Sequence, residues 1–351
     1  MASIRTALPI LMFAFACSSS GGGTDGASGP GGGSPPGGTP GPATVSEYCD
    51  QYWKAYATRW ASCEHGSAAA AAAVYASAPR CADAVQAVAA GRASYEGSRS
   101  GGCLSFVETA SCDILQAYMD GLYPQADCEA SIAGKLGEGG TCYSNESCAS
   151  GICFWSPSAC PSFCATPTPS GAAFDPSFGI CVAGTYPSGA TGTCVPAVGL
   201  NGACTSLDLC APGLFCEPGT SSVGACHARK TSGSCYDNSE CAIGYRCSGS
   251  ACVPWLRAGD SCTQGQNACG PGLWCGAGGT CIDGAAPGWS CATVNGERVP
   301  CVGGTCTARV GGNVCTAWLA PGGTCSLQSQ CAPTDACVYG TGQCTTLCAE
   351  P

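Results

Sequence analysis

Between residues 204 and 281 one pattern is written three times: CTSLDLCAPGLFCEPGTSSVGAC at 204–226, CYDNSECAIGYRCSGSAC at 235–252 and CTQGQNACGPGLWCGAGGTC at 262–281. The cysteines are Cys204, Cys210, Cys216 and Cys226; Cys235, Cys241, Cys247 and Cys252; and Cys262, Cys269, Cys275 and Cys281. In each copy the third Cys is reached through a glycine (Gly213, Gly244 or Gly272), and the fourth closes a small turn, Gly224-Ala225, Ser250-Ala251 or Gly279-Thr280. Spacing and turn residues that recur together every 27 to 31 residues mark a repeat architecture.

The totals agree with a covalently stapled chain. With 35 Cys in 351 residues, cysteine usage is that of a disulfide scaffold from an oxidising compartment. The 53 Gly and 24 Pro imply abundant turns, and much of the 45% hydrophobic content is Ala and Cys, so each module has a thin core. Two bridges stabilise such a module by about 5 kcal/mol in the chain-entropy account. Only 13 Lys and Arg stand against a net charge of −10, which argues against nucleic acid or an anionic membrane surface as partner.

Working outward, the pattern starts at Leu136 and is imperfect at both ends. A first copy, Cys142, Cys148 and Cys153, is followed by what reads as an insertion holding Cys160, Cys164 and Cys181, before Gly192-Thr193-Cys194. After the three regular copies come a distorted fifth (Cys291, Cys301, Cys306, Cys315) and a sixth (Cys325, Cys331, Cys337, Cys344) that lacks the glycine before its third Cys. Cys348 stands apart, and a bridge from it back to the insertion is one way to pair it. The segment thus divides into a first repeat with insertion over 136–200 and five tandem repeats over 201–351.

The spacing C-x5-C-x2-G-x2-C of Cys204 to Cys216 resembles the cysteine-rich repeats of the Dickkopf N-terminal type and the related EB modules. These are found in secreted lipoproteins of large-genome Gram-negative bacteria that join a six-Cys helical segment to such repeats. The resemblance covers roughly Leu136 to Cys348 and implies short disulfide-bonded β-hairpins. It does not carry over the signalling role of animal Dickkopf proteins, whose second cysteine-rich domain has no counterpart here.

Upstream, residues 44–135 change character. Thr44 and Glu47 form a capping-box pattern, and Cys49, Trp53, Tyr56, Trp60 and Cys63 fall on one face of a helix of about five turns. An Ala-rich segment from Ser67 to Ser77, a restart after Pro79 and a piece carrying Cys112, Leu115, Tyr118, Met119 and Leu122 complete the helical reading. The six cysteines Cys49, Cys63, Cys81, Cys103, Cys112 and Cys128 allow any of 15 connectivities. The aromatic stripe reads as core, since no His or phosphate loop accompanies it.

Residues 1–16 read as a secretory signal peptide: Arg5, an apolar run and Ala14-Phe15-Ala16. Ala16-Cys17 followed by Ser18-Ser19-Ser20 resembles a lipoprotein cleavage box with Cys17 as lipid anchor, although Ala14 stands where Leu is usual. Removing Cys17 from the thiol pool leaves 34, an even number. Residues 17–43 form a Gly/Ser/Pro tether with a reach of roughly 25 to 30 Å. The expected address is export with lipid anchoring to the bacterial outer membrane, at the cell surface.

Chemistry-bearing motifs are sparse. No pair of cysteines has the two-residue spacing favoured by zinc and dithiol sites, and oxidised sulfur does not ligate metal. His65 and His227 read as boundary residues. Asp237-Asn238-Ser239-Glu240 and Asn145-Glu146 offer oxygens for calcium, but a solvated turn needs nothing more; no cofactor is expected. The candidate contact residues are Phe215, Tyr245 and Trp274 inside the regular repeats and Trp255, Trp289 and Trp318 between modules. They either wedge modules together or form a row of rings that binds carbohydrate or protein.

The expected fold class is small and disulfide-rich: an all-α six-Cys subdomain followed by tandem cysteine-rich β-hairpin modules in a rigid rod. The expected role is non-enzymatic, as a binding or structural scaffold whose partner is an extracellular protein or carbohydrate. The alternative is a peptidase inhibitor, with Arg246 or Arg257 as recognition residue.

Overall fold

Helix α1 (Val45–Glu64) begins where the sequence says it should. Thr44 accepts the Glu47 N–H and Glu47 reaches back to the Thr44 N–H, both at 3.2 Å. It ends at His65 in the left-handed conformation, φ 55°. Its inward face is wider than the five-residue stripe. Tyr48 and Tyr52 are buried beside Cys49, Trp53 and Tyr56, and together with Val107, Leu115 and Met119 they make the main core.

In the computed structural model the described residues run from 41 to 346, apart from short internal stretches that include 77–79, 175–179, 206–209, 218–222, 327–330 and 339–342. The signal peptide, Cys17, the tether up to residue 40 and Cys348 lie outside them, as does the side chain of Cys160. Among the described residues no helix is long and apolar enough to cross a membrane.

Among the described residues five more helices follow α1: α2 (Ala68–Ala76), α3 (Arg80–Ala89), α4 (Gly97–Thr109), α5 (Cys112–Met119) and α6 (Ala126–Ser131). Of the 15 connectivities the chain adopts Cys49–Cys81, Cys63–Cys112 and Cys103–Cys128, which tie α1 to α3, α1 to α5 and α4 to α6. Helix α4 is absent from the sequence reading because Gly97, Gly101 and Gly102 depress helix propensity. The structure shows why Gly102 is there: a Cβ on it would stand 3.2 Å from the Cβ of Asp127 in α6. Arg59 adds a clamp from α1, donating from Nε and Nη2 to the Ala110 carbonyl at 3.0 and 2.7 Å.

Strands β1 (Ala93–Tyr95) and β2 (Ile132–Gly134) pair antiparallel and deliver the chain into the repeats. Each complete module has one plan. The segment entering it makes a parallel bridge to the second Cys, as in Leu136 with Cys148, Val198 with Cys210 and Lys230 with Cys241. A hairpin then sets the third Cys opposite the fourth, as in Cys216 with Cys226 and Cys247 with Cys252. First bonds third and second bonds fourth: Cys204–Cys216 and Cys210–Cys226, Cys235–Cys247 and Cys241–Cys252, Cys262–Cys275 and Cys269–Cys281, and Cys291–Cys306 and Cys301–Cys315.

The same plan reorganises the stretch read as one repeat with an insertion. Cys142–Cys153 and Cys148–Cys164 close the first module, so Cys164 is its fourth cysteine. Residues 168–196 form a further module: Thr168 bridges Cys181, and Thr185–Pro187 pairs with Cys194–Pro196. It holds Cys181–Cys194, the bridge between second and fourth positions. Phe174 and Pro187 stand at the first and third. The Phe174 N–H donates to the Gly192 carbonyl as the Cys262 N–H does to Gly279, and Pro187 faces Cys194. Spacing concealed this copy because two partner cysteines are replaced together.

The modules do not extend away as a rod, as the sequence reading expected. Their turns before the third Cys lie against the helices in succession. The Gly184 N–H donates to the Gly121 carbonyl beyond α5, at 2.8 Å. Gly213 adjoins Asp113 in α5, Gly244 the Cys63 carbonyl near the end of α1, Gly272 Ser67 and Ala70, and Gly303 Ala73 in α2. Rings and branched side chains at these turns would hold the modules off, whereas glycine lets backbone meet helix. In α2 the small side chains of Ala70 and Ala73 lie next to Gly272 and Gly303.

Candidate functional site

The predicted contact aromatics differ in how far they face water. Phe215 is buried beneath Lys230, whose Nζ lies 5.1 Å from the ring centroid. Tyr245 packs on the Cys235, Cys241 and Cys252 cluster. Trp255 is half-buried with Arg246 over its ring at 5.4 Å, and its carbonyl meets His65 Nδ1 at 3.0 Å. Trp274 and Trp318 are also half-buried, and Trp289 alone of the six faces water, at 72% exposure. Tyr236, 97% exposed, was overlooked. Its signal was its place directly after the buried Cys235, where alternation along an extended segment turns a side chain outward.

The oxygen-bearing loops are committed internally. Asn145 Oδ1 and Asn238 Oδ1 each accept the N–H of the third Cys of their module, Cys153 and Cys247, at 2.7 Å. Glu240 is buried, accepting from the Tyr236 N–H and from Lys230 Nζ, both at 2.8 Å. The Lys230 hydrogen bond holds the Glu240 carboxyl below its ordinary range, and the same bond raises Lys230. Lys230 also approaches Glu217 at 3.7 Å, and His227 Nε2 lies 3.4 Å from Glu217, so this charge cluster joins two modules. These contacts support the turn reading over calcium, which needs six to eight oxygens free to face an ion.

Sulfur atoms also gather. Cys204, Cys210 and Cys226 lie within 4.8 Å of one another, as do the corresponding atoms of three other modules and those of Cys291, Cys301 and Cys306 in a further one. They are the centres where two disulfides pass each other, and cystine sulfur lacks the thiolate charge a zinc site requires.

Neither histidine is a simple boundary residue. His65 links α1 to Trp255, and its Nε2 faces Arg257 Nη2 at 3.0 Å, while His227 takes part in the cluster with Glu217. Arg257 is thereby engaged at the helical unit, and Arg246 lies across Trp255.

A cavity of about 50 Å³ opens at the seam between the helical unit and the first module. Tyr48, Tyr52 and Trp53 of α1 form its aromatic wall, with Tyr52 and Trp53 edge to face at 5.0 Å. Glu129 of α6 and Glu146 of the first module's loop line it from different elements. Burial raises the Glu129 carboxyl, against a smaller opposing backbone hydrogen bond at Gln125. Sequence reasoning noted Glu146 and Trp53 separately; what joins them is the β2 crossover, which no local pattern announces. Where β2 meets the module, Gly134 lies directly against the Cys148 backbone.

Comparison with protein families, curated proteins and solved structures finds no match to this chain.

Proposed function

We propose that the chain is an exported, non-enzymatic scaffold, lipid-anchored through Cys17 at the bacterial outer membrane, that displays a disulfide-stapled body to an extracellular protein or carbohydrate. The observation that carries this reading is the bonding plan. Crossed bridges inside each complete module, with the modules laid against one helical unit, suit a preorganised surface more than a cleft that must open and close. Arginine engagement weakens the inhibitor alternative, since Arg246 and Arg257 both make internal contacts. The lipoprotein and Dickkopf-type resemblance rests on residues 14–20 and on the cysteine spacing.

The test is intact mass of the mature protein, isolated from membranes of a lipoprotein-competent host, before and after reduction and alkylation. A diacylglyceryl mass at Cys17, with the other 34 of 35 cysteines alkylated only after reduction, is the expected result. Cleavage without lipid would refute anchoring, and thiols reactive without reductant would refute the fully oxidised scaffold.

A further inference from the structure

We infer that the seam cavity between α1 and the first module binds an alkylated ammonium group. This goes beyond the scaffold reading and holds whether or not Cys17 carries lipid.

Size, wall chemistry and charge converge on that class. At roughly 10 to 15 Å³ per water, the cavity's volume of about 50 Å³ corresponds to some four water positions, close to the heavy atoms of a trimethylammonium head. Its walls are mainly carbon, from Tyr48, Tyr52, Trp53 and Ile132. A hard metal ion would find too few oxygens there, and an anion would meet two carboxylates. An organic cation is served on both counts. Its weakly hydrated methyl groups lose little on entering an apolar pocket, aromatic rings attract its charge, and Glu129 and Glu146 stand in the lining on two elements. The net charge of −10 raises the local concentration of any cation approaching the chain.

The same cationic head is offered by a choline-type lipid headgroup and by a methylated lysine side chain. The pocket is built only when β2 has delivered the first module against α1, so the oxidised chain with its helical unit and modules intact is the species to assay.

The experiment is calorimetric titration of that oxidised chain with choline and with 3,3-dimethylbutan-1-ol, its neutral isostere. Choline is expected to bind at least tenfold more tightly. The Glu129→Gln, Glu146→Gln double variant, checked for native far-ultraviolet dichroism, is expected to lose about tenfold in choline affinity, in line with a desolvated cation–carboxylate and cation–π contact. Tighter binding of Nε-trimethyl-lysine amide than of phosphocholine assigns a protein side chain as the source; the reverse order assigns a headgroup. Equal binding of choline and the alcohol would overturn the inference. So would absence of choline binding up to about 50 mM, a concentration that detects even millimolar affinity. A folded double variant that binds choline as well as the parent chain would overturn it too.

Discussion

Replacing Gly244 by Ala tests whether the modules are seated on the helices through their glycine turns. Gly244 has φ +84°, and an added Cβ would stand 2.6 Å from the Cys63 carbonyl oxygen, a backbone atom that cannot rotate away. Gly233, in the same module, has φ +88° and nothing within 4 Å of where its Cβ would be. The left-handed backbone costs each alanine about 1–2 kcal/mol. Only Gly244→Ala also carries the overpacking cost, about 1–3 kcal/mol, met by strain or by the module moving off α1. The expected losses are therefore about 2–5 kcal/mol for Gly244→Ala and about 1–2 kcal/mol for Gly233→Ala. Urea unfolding of the two oxidised variants, followed by near-ultraviolet dichroism, measures the difference. Amide exchange near the end of α1 reports whether the seat of His65 on Trp255 has opened. Equal losses, within about 0.5 kcal/mol, would refute glycine-mediated docking.

Asn145→Ala removes the acceptor of the part-buried Cys153 N–H and should cost about 1–2 kcal/mol, with faster exchange at that amide; an unchanged rate would contradict the loop assignment. Glu240 has its carboxyl lowered from the ordinary 4.5 by Lys230, so its contribution to stability is present above that value and is lost as pH falls through the lower folded value. Lys230→Met should therefore flatten the acid limb of stability below about pH 4.5; parallel pH profiles for variant and parent would exclude the pairing. Phe174→Cys with Pro187→Cys should restore the missing bridge of the second module and stabilise it by about 3 kcal/mol; two free thiols in the double variant, counted by mass after alkylation, would show that the equivalence is wrong.

The parts legible in the sequence are those whose determinants are local. The capping box and aromatic face announced α1, and turn residues tied to cysteine spacing announced the hairpins. Helix α4 was hidden because its glycines answer a long-range demand, close passage of α6 at Gly102, that runs against their local propensity. The second module was hidden because Phe174 and Pro187 keep its backbone pairing while removing the cysteine signature. The Ala-rich α2 was visible as a helix, but nothing in residues 68–76 says that glycine turns approximately 200 residues downstream would lie on it. The seam cavity was illegible for the same reason: Trp53 and Glu146 come together only through tertiary folding.

The described bridges close either within the helical unit or within a single module, so covalent connectivity and tertiary assembly are decoupled. Under tension along the chain the weak elements are then the seats of glycine on helix, not the modules. A pulled molecule would lengthen by peeling modules from the helices, each still closed by its own disulfides. Such a chain would lengthen without unfolding a module.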